Sequence, residues 1–534
     1  MEGRRVRRFG IERGRRRRRE RQLHSPLSNT FSCFFCDFKF TSLNQSIFHF
    51  GTKHAAVFRP WFSIGVGFGL TALLAVSLIL LWELGRALHL LPQSSFGDHS
   101  TALLFGFSHF PSSSVYTYSI SFSDATFLLV STLISVCFHE FGHALAAASE
   151  GIQMEYIAIF IAVLFPGALV AFNSDLLQAL PHFTALRVYC AGIWHNAVSC
   201  AFCGLVLFLL PFILFPFYKH GQSPMVLAVP SSSSLSGYLS PGDVIVSLDG
   251  MHVHSTQEWM DMATLINELA LKDINNSRYI ENIGSVNSRK GYCVPNSVLD
   301  KSMKIQSEES QFACPDDLAA FVKAPCFPTS MTADGPPNRV EQTHCLNAED
   351  VVKLDKCGNG WVTAGTNVSG CTCSEGELCL SPIQAPGMLW IEVKYSSPYS
   401  KECLELKSEL LSDTRASEVL ESKCGGTFVF VGDVIWMTRS VRLTAYQPRW
   451  PFLAIYLPNI LERFCACTFH ISLTLALLNS LPVYFLDGES LLETTLCHFT
   501  LLSPNKRKKL LRMCLVGGTL ISFLAIIRIV LKFL

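Results

Sequence analysis

Long uncharged runs alternate with charged, turn-rich stretches along this chain, and the runs predict its architecture. Phe62–Trp82 is 21 residues without a charge. Ala125–Ala148 is apolar except for His139, Glu140 and His143, and Val188–Phe217 has 30 residues and no charge. Phe464–Leu486 and Met513–Leu534 are further apolar runs, the last with Arg528 and Lys532 near its end. Crossing a bilayer takes about 20 mostly apolar residues, so each run predicts a spanning helix. Ile152–Phe172 is long enough too, but it carries Glu155 and is broken by Pro166-Gly167. It spans, re-enters or lies at the interface. Phe62–Trp82 is too long and too far from the N-terminus to be the apolar part of a signal peptide. The pattern predicts a polytopic α-helical membrane protein with about six hydrophobic segments.

Between the fourth and fifth segments the pattern changes. Residues 237–250, Gly-Tyr-Leu-Ser-Pro-Gly-Asp-Val-Ile-Val-Ser-Leu-Asp-Gly, read as a turn, a short strand Val244–Leu248 and another turn. The stretch resembles the strand-turn segment of PDZ domains. Leu389–Val393 and Thr427–Val431 are further runs of strand length. Residues of about 280–380 are rich in Cys, Ser, Asn, Gly and Pro. Either one small PDZ-like β-domain is interrupted by a Cys-rich insertion, or two unrelated modules follow each other.

Composition sharpens this picture. Charged residues make up 16% of the 534, against about 25% in ordinary soluble domains, and there are 40 Phe. A soluble chain of this length would lack the charge to cover its surface, so the composition argues against a soluble enzyme. The formal net charge of +1 hides an asymmetry. Residues 1–22 hold 11 Arg and 3 Glu, whereas residues 241–424 hold 26 acidic and 15 basic side chains. Loop Lys and Arg stay cytoplasmic, so the Arg tail and Lys506-Arg507-Lys508-Lys509 predict a cytosolic N-terminus and a second cytosolic loop. Residues 219–450 then fall in the lumen. That region holds Cys293, Cys314, Cys326, Cys345, Cys357, Cys371, Cys373, Cys379, Cys403 and Cys424. An even count at this density suggests disulfides in an oxidising compartment. A cytosolic zinc-binding loop is the other reading, against which no paired CxxC…CxxC spacing is present. Sequons at Asn275 and Asn367 lie in the same stretch. The implied regions are 1–58, a basic cytosolic N-terminal region; 59–91, the first transmembrane segment; 120–218, a membrane core; 219–450, the luminal domain; 451–502, a second part of the membrane core; and 503–534, a cytosolic loop with the last transmembrane segment.

His139-Glu140-Phe141-Gly142-His143 carries the chemistry. On a helix, positions i and i+4 share one face, so both imidazoles reach one metal ion. Glu140, beside the first ligand, can accept a proton from a water whose pKa the metal lowers. Imidazole donors with a borderline cation favour Zn²⁺ over Mg²⁺ or Ca²⁺, one ion per chain. Ionisable groups inside an apolar span are costly and mark function by default. The bland reading is a polar patch lining a helix bundle without metal. A catalytic zinc takes a third protein ligand, and Asp487 qualifies. It lies in residues 479–488, Asn-Ser-Leu-Pro-Val-Tyr-Phe-Leu-Asp-Gly. There Pro482 should interrupt the fifth span, and Gly488 lets the chain turn. An ordinary helix-ending Asp outside the bilayer is the alternative.

HEFGH within a membrane span, paired with a downstream NSLPVYFLDG, resembles the site-2 protease family of intramembrane zinc metalloproteases. The stretches FPGALV at 165–170 and RVYCAGIWHN at 187–196 look similar to the same family. The resemblance implies His139, His143 and Asp487 as zinc ligands, Glu140 as general base, and Asn479 and Pro482 as substrate-positioning residues. It further implies regulated intramembrane proteolysis in Golgi membranes. Substrates would be single-span, membrane-tethered transcription factors of bZIP or sterol-regulatory type, cut after a site-1-type luminal protease has acted. Their cytosolic part would be released in ER-stress or sterol-type signalling. The chain itself is expected to contact the bilayer and no nucleic acid.

Two weaker signals remain. The Arg tail could bind nucleic acid, act as a sorting or nuclear signal or lie on anionic lipid; next to a membrane span the simplest reading is an orientation determinant that contacts lipid. Cys33-x2-Cys36 with His49 and His54 matches zinc-finger spacing, although Ser46 stands where such a finger needs a core Leu. A catalytically inactive scaffold or sorting protein, and a transporter with an intramembrane ion site, are the competing functional classes. An intact HExxH and LDG argue against the first, and the lack of an internal repeat against the second.

Overall fold

Short helix α1 (Asn44–Lys53) leads into α2 (Ala55–Ala87), followed by α3 (Phe122–Ser149) and α4 (His182–Leu214). After a long excursion come α5 (Leu457–Asn479), α6 (Asp487–Phe499) and α7 (Pro504–Phe533). This computed structural model describes residues 30–32, 35–90, 103–105, 122–162, 165–279, 290–300, 302–305, 314–315, 318–323, 343–358, 361, 373–383, 388–409, 424–451, 453–499 and 503–533. Among them, five helices are long and apolar enough to cross a membrane: α2, α3, α4, α5 and α7. The chain divides into two compact units, residues 1–210 with 460–534, and residues 211–459.

One of the six expected segments is not a helix. Ile152–Phe172 forms a hairpin of β3 (Met154–Ala162) and β4 (Phe165–Phe172). Two features of this apolar stretch disfavour a helix. Tyr156, Ile157, Ile159, Phe160 and Ile161 pack well on a pleated surface, and Pro166 cannot continue a helix. The hairpin belongs to a four-stranded sheet, β1-β2-β3-β4, with β1 (Thr30–Ser32) and β2 (Phe35–Phe40). Phe35 pairs with Ala162 and Phe40 with Ile157, so part of the N-terminal region is built into this unit. Cys36 is buried in β2, His49 and His54 are exposed, and Cys33 lies outside the described residues.

Two other boundaries shift for stated reasons. The fifth span closes at Asn479 rather than Leu486, because Pro482 lacks a donor and biases its neighbour away from helix. Asp487 therefore opens α6 instead of ending α5. Helix α7 starts earlier than Met513 and takes Lys506-Arg507-Lys508-Lys509 into its first turns.

Small residues let the helices approach closely. Gly65 and Gly69, four apart on α2, lie against Trp194 and Cys190 of α4. Gly51 of α1 packs on Ala148. In an apolar solvent, packing of this kind drives helix association. Hydroxyls add polar links: Ser135 of α3 lies 3.0 Å from Ser472 of α5, which donates to Ser199 of α4 at 3.2 Å. Thr468 reaches Ser131 at 3.2 Å. At the far end of α2, buried Glu83 pairs with Arg86 at 3.2 Å and with Arg528 of α7 at 2.7 Å.

The second unit contains two six-stranded sheets. In the first, the ordered path is β15-β14-β6-β5-β16, formed by Gly425–Gly432, Leu389–Ser396, Val244–Leu248, Tyr218–Ala228 and Arg442–Pro448, with β7 (Met251–His252) beside β6. Strands from either side of the Cys-rich stretch thus share one sheet: Val393 pairs with Leu248. Its core gathers Ile245, Leu248, Ile391, Val393 and Trp259, the last from the helix Thr256–Tyr279. The Cys-rich stretch supplies the second sheet, ordered β12-β8-β13-β10-β11-β9 and formed by Lys356–Cys357, Gly291–Pro295, Glu377–Pro382, Ala319–Lys323, Thr343–Leu346 and Met303–Ile305. Disulfides join Cys293 to Cys373, Cys314 to Cys345, Cys357 to Cys379 and Cys403 to Cys424. Cys326 and Cys371 lie outside the described residues. A buried polar cluster joins the sheets. The Tyr292 hydroxyl donates to Glu392 at 2.5 Å and accepts from the Trp390 indole at 2.9 Å. Burial, with the Glu392 carboxylate beside it, pushes the Tyr292 hydroxyl above its ordinary range, so it remains a donor.

Candidate metal centre

Helix α3 places His139 and His143 one turn apart on the same face, and both are buried. Asp487 reaches them from the first position of α6. Its Oδ2 lies 3.0 Å from His139 Nε2 and 3.2 Å from His143 Nε2, and the two Nε2 atoms are 3.2 Å apart. The three donor atoms all lie within 4.8 Å of one another.

The chain around each ligand explains why they meet. After Asn479 closes α5, residues 480–486 make a turn containing buried Pro482. Gly488 lies flat against the Leu481 carbonyl, where a Cβ would overlap it, so the turn is tight and Asp487 faces back into the helices. Gly192 of α4 passes beside both imidazoles, and a Cβ there would overlap His143 and His139. Asn479 is half-buried at the end of α5, next to this turn.

The outer nitrogens of both rings are engaged. His143 Nδ1 lies 2.8 Å from the carbonyl oxygen of Val188. A carbonyl only accepts, so Nδ1 carries the hydrogen, and the Nε2 of the neutral ring presents a lone pair. His139 Nδ1 lies 3.1 Å from the Asn196 amide. Ligating histidines are oriented in this way by partners on their second nitrogen. The consequence is a test of fit. His143 Nε2 aims a lone pair at a carboxylate oxygen and at a second imidazole nitrogen. Such a cluster of acceptors is repulsive unless a cation lies among them. Two imidazoles and one carboxylate form a donor set that suits Zn²⁺ and leaves a further position open for water.

Glu140 stands beside the ligands without joining them. Its Oε2 accepts from the Val170 N–H of β4 at 3.0 Å. Strand β4 is an edge of its sheet, with no strand on its other side among the described residues. The Glu140 carboxylate is therefore anchored on the backbone of the edge strand.

Of the residues singled out from sequence, the structure brings together His139, Glu140, His143 and Asp487. Pro482 sits in the turn before Asp487. Among the described residues, the cysteines of the second unit form no part of this centre. The other Cys cluster with metal-like spacing, Cys293, Cys357 and Cys373, consists of disulfide-bonded sulfurs. The sequence reads Asn196 as an interhelical hydrogen-bond partner, which its contact with His139 fits, and assigns no role to the Val188 carbonyl, Gly192 or the Val170 N–H. Asn196 alone had a visible signal, as a polar side chain in an uncharged run.

Comparison with known proteins agrees with this geometry. A family model described as peptidase family M50 matches residues 127–523. A protein of Arabidopsis thaliana, described as a membrane-bound transcription factor site-2 protease homolog, is 51% identical over 533 residues, covering 99% of this chain and 98% of the relative.

Proposed function

The chain belongs to peptidase family M50, and on that basis we propose that it is a zinc endopeptidase that cuts single-span substrates within the membrane. It is a multi-pass membrane metalloprotease related to a protein named for membrane-bound transcription factors. The observation that carries the reading is the convergence of His139, His143 and Asp487 among apolar helices, with Glu140 alongside. His139, His143 and Asp487 would hold the zinc. Bound there, it would supply a Lewis acid that polarises the scissile carbonyl and activates a water.

The protein's own groups do the rest. Glu140 Oε2 is held by Val170, so Oε1 takes the proton from the attacking water and passes it to the leaving amine. A substrate helix satisfies its own backbone and offers no free carbonyl, so it must unwind locally. As the last strand of its sheet, β4 would supply the lost backbone partners, because an extended segment can add to a sheet edge. A segment laid on β4 would pass directly beside Glu140. Asn479 and Pro482 shape the opposite wall.

Substrates are membrane-tethered transcription factors of bZIP or sterol-regulatory type, cut after a site-1-type luminal protease, in Golgi membranes during ER-stress or sterol-type signalling. The basic N-terminal region and the basic start of α7 lie in the cytosol, and the disulfide-bearing unit of residues 211–459 lies in the lumen. Its first sheet, read as PDZ-like and interrupted by the Cys-rich insertion, excludes substrates whose luminal part is still bulky. Deleting residues 224–446 tests that gate: a folded enzyme that keeps the order of the two cuts would contradict it. The activity itself is tested with purified protein in detergent and a single-span substrate. Cleavage inside the span, abolished by a zinc chelator and restored by zinc, is expected. Chelator-insensitive cleavage would overturn the reading.

A further inference from the structure

The turn that carries Asp487 holds one side chain outward. Phe485 is 97% exposed, more than any other large apolar side chain among the described residues. Its φ is +71°, a left-handed conformation that a bulky residue adopts only under constraint. The constraints are visible on both flanks. The Phe485 N–H donates to Glu489 Oε2 at 3.0 Å. Gly488 is pressed on the Leu481 carbonyl, and Gly518 of α7 is pressed on the Pro482 carbonyl, each without room for a Cβ. The nearest described ring is its neighbour Tyr484, at 6.5 Å between centroids.

A lipid-facing phenylalanine needs none of this. Phe202, Phe208 and Phe212 are exposed on α4 with ordinary helical backbone. At Phe485 the chain instead keeps an unfavourable backbone and an unburied ring, two residues from a carboxylate of the metal centre. Two residues of chain place its Cα within about 7 Å of that of Asp487. Stored strain of this kind marks a functional contact.

We infer that Phe485 contacts the unwound segment of the substrate beside the scissile bond and favours an apolar side chain there. The inference rests on the protease reading above. The ring covers substrate that has left its helix, on the side of the centre formed by residues 480–486.

The test uses the full chain. Benzoylphenylalanine is placed at position 485 in the Glu140→Gln background, in phosphatidylcholine vesicles with a single-span substrate. Adducts are expected on the substrate span within a few residues of the bond that wild type cuts. Adducts on lipid alone, or none, would overturn the inference. In parallel, Phe485→Ala should lower kcat/KM about tenfold, chiefly through KM, as loss of roughly 50–60 Å² of apolar contact would. Phe485→Gly should do the same without lowering Tm, since glycine accepts a φ of +71°. Both variants should keep wild-type metal content. Wild-type kcat/KM in both would contradict the inference. Crosslinking needs no turnover, so its failure is distinct from a failure of wild type to cleave, which would count against the protease reading.

Discussion

Gly192 of α4 lies so close to His143 of α3 that a Cβ would overlap the imidazole Nε2. Two helices thus meet at the candidate metal centre with only a hydrogen between the Gly192 backbone and the His143 ring. Any side chain at residue 192 would have to occupy the space of the donor atoms. Gly192→Ala is expected to abolish metal binding and activity while leaving the helices folded. Metal content per chain, measured with far-UV circular dichroism, checks this. Full metal content in Gly192→Ala would mean that α4 yields easily there.

Asn196 should matter through His139 and not through substrate. Its Nδ2 is 3.1 Å from His139 Nδ1, and its Oδ1 is buried without a partner among the described residues. Turning the amide places the acceptor against an Nδ1–H and leaves Nε2 bare for the metal. Loss of such a partner typically weakens metal binding 10–100-fold. Asn196→Ala is expected to show that loss in a competition titration with a chromophoric chelator. Asn196→Asp, which keeps an acceptor, should stay within a few-fold of wild type.

The Cys403–Cys424 bridge closes a loop of 21 residues in the second unit. By the chain-entropy model a loop of this size stabilises by about 3 kcal/mol. The double variant Cys403→Ser with Cys424→Ser is expected to lower the stability of that unit by about 2–4 kcal/mol, seen as earlier thermal proteolysis of residues 211–459. Metal content should not change. Unaltered proteolysis would show that the sheet around Phe428 and Tyr395 holds this region without the bridge.

How much of this was legible in the sequence depends on the range of the interaction. His139 and His143 were readable because a four-residue spacing defines one helix face. Asp487 was readable because Pro482 and Gly488 mark a broken span around a carboxylate. Val244–Leu248 was read with its observed bounds, since turns flank it closely. By contrast, Ile152–Phe172 was apolar and long enough for a span, and length with apolarity does not separate one helix from two strands. Its partner β2 comes from a segment over 100 residues away. Asn196 on His139, Val188 on His143 and Gly192 beside both depend on the register of α4 against α3, which tertiary packing sets. The disulfide pairs could not be chosen from spacing either; Cys379 faces Cys293 across β13 and β8 yet is bonded to Cys357.

Glu140 gives the most direct test of the account. It lies beside the donors, bonded to Val170 rather than to the histidines, so its charge should serve proton transfer and not metal retention. Wild type and Glu140→Gln should be purified in the same detergent, assayed for zinc, and mixed with a single-span substrate. The account predicts about one zinc per chain in both proteins and cleavage by wild type only. Cleavage by Glu140→Gln near the wild-type rate, or loss of its zinc, would contradict it.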